Sequence, residues 1–146
     1  MLLPTLTSAH PAPTPLPLPH PQTGGQAGIS GFPSPAQDYE GETLDLNEHL
    51  IRRPSATFFL DVVGDSMRGV GIFDGDLLVV DRSVTARPGQ IVVAVLDGEI
   101  VIKRYEKRGH RYFLTSAHPH YPAVSLEGTE CQVRGVVTGI VRRLEA

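Results

Sequence analysis

Gln90-Ile91-Val92-Val93-Ala94-Val95-Leu96-Asp97-Gly98-Glu99-Ile100-Val101-Ile102-Lys103-Arg104-Tyr105 contains two apolar, β-branched runs separated by two residues. Each run is strand-sized, and a two-residue Asp-Gly joint has the length and chemistry of a type I′ hairpin turn. Two antiparallel strands, Gln90 to Leu96 and Glu99 to Tyr105, are therefore expected. The same signature recurs on either side. Thr57 to Val63, Asp76 to Asp81, Arg111 to Ser116 and Gln132 to Arg142 read as strands, with Phe73-Asp74-Gly75-Asp76 and Arg87-Pro88-Gly89 as turns. Only Thr43 to Ile51 breaks the pattern. There Asp45, with Glu48 three residues later, resembles a capping box, and Leu46 and Leu50 share a helical face, so a short helix closing at Arg52-Arg53-Pro54 is expected. Short connections between strands and a single short helix predict a mostly-β domain over residues 38–146, a compact barrel or sandwich.

Upstream of this domain the chain changes character. No Asp, Glu, Lys or Arg precedes Asp38, and proline recurs at every second position from Pro11 to Pro21. Proline fixes φ and removes an amide donor, and Gly24, Gly25 and Gly28 then loosen the chain. Residues 1–37 are expected to form a flexible Pro/Gly-rich arm, with too few large side chains to repay the entropy of ordering it. On composition alone, such an arm is a dispensable tail.

The 146-residue chain has a formal charge of −3 and a single cysteine. Net acidity gives no general attraction to phosphate backbones, so direct sequence-specific DNA binding is not expected and nucleic acid would be reached through a partner. No stretch approaches the ~20 uninterrupted apolar residues of a membrane helix. Met1-Leu2-Leu3-Pro4 lacks the charges and continuous apolar core of an export signal, and a lone Cys131 cannot close an internal disulfide. A cytoplasmic location without membrane association is expected.

Gly64-Asp65-Ser66-Met67 follows the strand that ends at Val63. A serine at such an exit is presented on a turn whose free backbone N–H groups can also bind a developing oxyanion, although serine is an ordinary turn residue as well. A serine nucleophile requires a base. His49, His110, His118 and His120 are available, but His118-Pro119-His120-Tyr121-Pro122 reads as a solvated, turn-rich loop. Two histidines without acidic or cysteine companions give no metal site, and no cofactor is expected. Lys103 is the better candidate, because alternation puts it on the face of Val101 and Tyr105, where lost hydration favours a neutral amine able to take the serine proton. A lysine there can equally snorkel to the barrel edge, so the strand by itself leaves both roles open.

Together, Gly64-Asp65-Ser66-Met67, then Asp74-Gly75-Asp76-Leu77-Leu78-Val79-Val80-Asp81, then Asp97-Gly98-Glu99 leading to Lys103, resemble in order and spacing the LexA/UmuD family of self-cleaving Ser-Lys peptidases. Ahead of them, Gly31-Phe32-Pro33-Ser34-Pro35-Ala36-Gln37-Asp38-Tyr39, with Asp45-Leu46-Asn47 and Pro54-Ser55-Ala56-Thr57, resembles the UmuD branch of that family. The LexA branch carries an N-terminal winged helix-turn-helix, for which a proline-rich arm is no substitute.

The resemblance implies a fold of the LexA C-terminal-domain type, with Ser66 as nucleophile, Lys103 as general base and the N–H groups of Asp65 and Ser66 as oxyanion hole. It also implies that the substrate is the chain's own arm, cut between Ser30 and Gly31. The family usually has Cys or Ala before that glycine, and the more polar Ser30 leaves Ala27–Gly28 as a competing bond. The partners implied are a second copy in a homodimer, the RecA filament on single-stranded DNA as co-protease, and, after cleavage, an error-prone Y-family (UmuC-like) DNA polymerase in SOS mutagenesis. Two rival readings exist. Type I signal peptidases share the Ser-Lys logic but need a membrane anchor. A non-catalytic LexA-like dimerisation or adaptor domain would keep Ser66 and Lys103 as structural residues.

Overall fold

The computed structural model describes residues 6–8, 15–19 and 43–145. In chain order its strands are β1 (Leu6–Ser8), β2 (Pro17–Pro19), β3 (Thr43–Asp45), β4 (Thr57–Asp61), β5 (Leu77–Asp81), β6 (Ile91–Leu96), β7 (Glu99–Arg108), β8 (Arg111–Thr115), β9 (Val124–Ser125) and β10 (Cys131–Val141). One α-helix, α1 (Leu46–Leu50), follows β3, and single 3-10 turns stand at Pro54–Ala56 and Arg68–Val70. The chain divides into two compact units, Met1–Pro11 with Arg53–Ala146, and Ala12–Arg52.

The larger unit is one eight-stranded antiparallel sheet in the order β1-β4-β5-β10-β6-β7-β8-β9. The mostly-β expectation holds, and each of the six strands read from the sequence is present, with ends moved by a few residues. The β6–β7 hairpin turns as its chemistry demands. Asp97 has φ 49° and Gly98 φ 83°, so both turn residues take the left-handed conformation of a type I′ turn.

Strand β6 is apolar throughout because it is covered on both faces. Val92 and Ala94 pack with Leu114 and Val136 on one side, whereas Val93 joins Leu60, Met67, Ile72, Leu78 and Val80 on the other. A strand with two buried faces has no solvated positions to alternate with. Strand β7 runs to Arg108, beyond the expected end at Tyr105, because pairing with β8 through Arg108↔Arg111 overrides the polar composition of Glu106, Lys107 and Arg108.

In the smaller unit β2 pairs antiparallel with β3, with Leu18 opposite Leu44. The short helix expected within Thr43 to Ile51 runs from Leu46 to Leu50, directly after the expected cap Asp45, while Thr43 to Asp45 pair with β2. The Asp45 cap is as expected: its Oδ1 accepts the Asn47 N–H at 3.0 Å. Two pieces of the first 37 residues are thus strands, β2 here and β1 in the larger unit, where Thr7 lies opposite Phe59. Proline's fixed φ is compatible with extended edge pairing, and Leu18 between Pro17 and Pro19 keeps its own amide.

Candidate active site

The Ser66 turn is held by its carbonyls. Val62 closes the sheet, donating its N–H to the Asp76 carbonyl at 2.8 Å and accepting from Gly75 at 2.9 Å. The Gly64 N–H then donates to Asp74 Oδ1 at 2.8 Å. The Asp65 carbonyl accepts from Arg68 (3.1 Å), that of Ser66 from Ala117 (3.0 Å), and that of Met67 from Val70 and Ile72 (3.1 and 3.2 Å). The Met67 side chain is buried with Leu60, Val62 and Ile72 and anchors the turn in the core. Among the described residues, the N–H groups of Asp65 and Ser66 donate to no acceptor. Unpaired donors on a turn fixed by its carbonyls suit a developing oxyanion.

Lys103 reaches the same place from β7. Lys103 and Ser66 line one cleft of about 300 Å³, together with Val62, Ile100, Ile102 and Tyr121. Burial pushes the Lys103 ammonium below the usual lysine range, because the charged form loses hydration. The Tyr121 ring centroid lies 5.0 Å from Nζ, a contact that favours the cation and partly opposes that desolvation. The amine donates to Ser116 Oγ at 2.5 Å and, among the described residues, makes no hydrogen bond to Ser66.

Ser116 was not among the residues singled out from the sequence. Its signal lay in hairpin register. Gly109-His110 is a two-residue turn between Arg108 and Arg111, and the pairing Arg104↔Thr115 carried one step further puts Ser116 across from Lys103.

The histidine loop is turn-rich and exposed from Pro119 to Ala123, as expected, but its start is tied to the Ser66 turn. Ala117 donates to the Ser66 carbonyl, and Gly69 donates to the Ala117 carbonyl at 3.2 Å, so the loop is pinned to the Ser66 turn by its backbone. Once it is held there, His118 Nε2 comes to 3.8 Å from Asp65 Oδ2, and the Tyr121 hydroxyl donates to Asp65 Oδ1 at 3.3 Å. The far end of the turn is clamped by a residue that also escaped notice. Arg142 donates to both carboxylate oxygens of Asp76 (2.6 and 2.7 Å) and to the Gly71 carbonyl (2.7 Å). Among the described residues no group of three His, Cys, Asp or Glu side chains is placed to hold a metal ion. The bonds Ser30–Gly31 and Ala27–Gly28 lie outside the described residues.

A hydroxyl on a turn with unpaired N–H donors, sharing a cleft with a desolvated amine, brings together the groups required by serine peptidases that use lysine in place of histidine. A family model described as Peptidase S24-like matches residues 25–138. The chain is 46% identical over 114 residues to Protein SamA of Salmonella typhimurium, covering 78% of this chain and 79% of that one. It is 46% identical over 111 residues to Protein MucA of Escherichia coli, 75% of each chain, and 37% identical over 123 residues to the LexA repressor of Shewanella piezotolerans, 77% of this chain and 60% of the repressor. The chain belongs to the peptidase S24 family, the family of LexA and UmuD. No helix among the described residues is long and apolar enough to cross a membrane.

Proposed function

We propose that the chain is a self-cleaving serine endopeptidase whose substrate is its own N-terminal arm. Neutral Lys103 takes the Ser66 proton, and Oγ attacks the Ser30 carbonyl. The resulting oxyanion is held by the N–H groups of Asp65 and Ser66. The Lys103 ammonium then protonates the Gly31 nitrogen as the Ser30–Gly31 bond breaks, and water, deprotonated by the same amine, releases the acyl group. The products are residues 1–30 and 31–146. The observation that carries this reading is the single cleft lined by both Ser66 and the desolvated Lys103.

By likeness to the family, the RecA filament on single-stranded DNA stimulates the cut in the cytoplasm. The cleaved homodimer then serves an error-prone Y-family polymerase in SOS mutagenesis. This chain's net charge of −3 fits a protein that reaches DNA through such partners.

The test is to incubate the purified chain at alkaline pH and weigh the products. A new N-terminus at Gly31, absent in Ser66→Ala, supports self-cleavage, and one at Gly28 moves the scissile bond to Ala27–Gly28. A second reading, the non-catalytic adaptor, draws on the amine's bond to Ser116 rather than Ser66. It is the outcome if no product forms even with RecA, ATP and single-stranded DNA.

A further inference from the structure

We propose that Ser116 is a positioning residue for the general base: its hydroxyl holds one N–H of Lys103 and so turns the amine's lone pair toward Ser66. This rests on the reading of Ser66 and Lys103 as nucleophile and base.

A neutral amine carries two N–H groups and one lone pair on a stem with four rotatable bonds, so burial alone does not aim it. The 2.5 Å contact joins Nζ to Ser116 Oγ; in the arrangement proposed, the hydroxyl accepts one N–H and the lone pair is left for Ser66. The next residue grips the other partner. Ala117 donates its N–H to the Ser66 carbonyl at 3.0 Å, and its own carbonyl accepts from Gly69 at 3.2 Å. Two consecutive residues therefore hold both halves of the pair, one through a side chain and one through the backbone, and Ser116–Ala117 sets the separation between amine and nucleophile. Ser116 can do this because it continues the β7–β8 register, which fixes its place opposite Lys103. The base is then oriented before substrate arrives, and a pre-aligned proton acceptor is where much of the advantage of intramolecular geometry lies.

The hydroxyl also tunes the amine. An ammonium donates more strongly than an amine, so an acceptor at Ser116 favours the charged form and works against desolvation. The other groups around the amine are the Tyr121 ring, and Asp65 and Glu99 lining the same cleft, with His118 beside Asp65. They remain when Ser116 is replaced, so the change in the amine's titration reports on the hydroxyl.

The experiment has two arms on the full chain. In the first, unassisted self-cleavage is followed against pH for the wild type, Ser116→Ala, Ser116→Thr and Ser116→Cys. Ser116→Ala, and Ser116→Cys, which keeps the volume but is a weak acceptor, should lower the alkaline plateau tenfold or more. They should also move the half-maximal point of the rise to lower pH, with Ser116→Thr near wild type. In the second, the Lys103 13Cε resonance is titrated in uncleavable Ser66→Ala, with and without Ser116→Ala. The midpoint should fall by about one pH unit, a tenfold change in acid constant. An unchanged plateau, a lower plateau with an unmoved midpoint, or a midpoint that rises overturns the positioning role. If the wild type does not cut itself, or Ser66→Ala still does, the underlying reading of the pair falls. The titration arm still shows whether Ser116 holds the amine.

Discussion

Lys103 carries a charge that its position in the fold disfavours. Its pKa is depressed in the folded chain relative to about 10.4 when unfolded. The cost to folding is fully present below the native pKa and disappears as pH rises through the interval between the two values, so stability climbs with pH across that window. Self-cleavage climbs over the lower part of the same range, because the neutral fraction grows until the native pKa is passed. Lys103→Met, which keeps the stem and removes the charge, should abolish cleavage while melting no lower than the wild type at pH 7. A melting point several degrees lower would show that the ammonium is stabilising instead. Ser66 and Lys103 stand out as candidates because a turn at a strand exit and an alternating strand are locally readable, but it is the resemblance to the family that joins them as a pair. Ser116 does not stand out, since a serine closing a strand is unremarkable until the register places it across from an amine. The nearness of His118 to Asp65 was not legible for a related reason: the loop is exposed as its proline-rich flanks suggest, and the two backbone bonds of its neighbour Ala117 tie its start to the Ser66 turn.

At the scale of elements, the Ser66 turn and the segment after β8 behave as one piece. At Gly69 the two segments leave no room for a side chain, and a Cβ there would run into the carbonyl oxygen of Ala117. Gly69→Ala should therefore separate the two segments, break the Gly69–Ala117 bond at a cost of about 1 kcal/mol, and slow cleavage tenfold or more. Rate and urea unfolding measured together check this. A large loss of stability with an unchanged rate in the folded fraction would show that the contact supports the fold and not the site. The hairpin turns were readable element by element because Asp97-Gly98 states its own conformation. The start of α1 was readable from its Asp45 cap, whereas the pairing of Thr43 to Asp45 with β2 was not, since it needs a partner from far along the chain.

For the molecule as a whole, the decisive feature is that the last strand is not last in space. β10 lies between β5 and β6, so the sheet closes only after the chain is nearly complete, and Arg142 at its end reaches back to Asp76 and Gly71. The Arg142 hydrogen bonds hold the Asp76 carboxyl below the usual carboxylate range. At Asp81 burial pushes upward, but bonds from Ser83 and Arg53 outweigh it and the net shift is also downward. Each contributes stability that is present above about pH 3.9 and lost as pH falls through the depressed native value. Asp76→Asn should cost about 2 kcal/mol at pH 7 and flatten the acid limb, so that urea midpoints of variant and wild type converge toward pH 2. Parallel curves at all pH values would mean that Asp76 is not an acid-sensitive clamp.

Local chemistry in the chain determined the strands, the type I′ turn, the Asp45 cap, and the candidate hydroxyl and amine, because alternation and turn preference act over a few neighbouring residues. Tertiary structure alone decided the rest: that Ser66 and Lys103 share a cleft, that Ser116 bonds the amine, and that Arg142 grips Asp76 from 66 residues away. Those partners meet through sheet register and strand order, which the whole set of pairings selects together and which no single segment specifies.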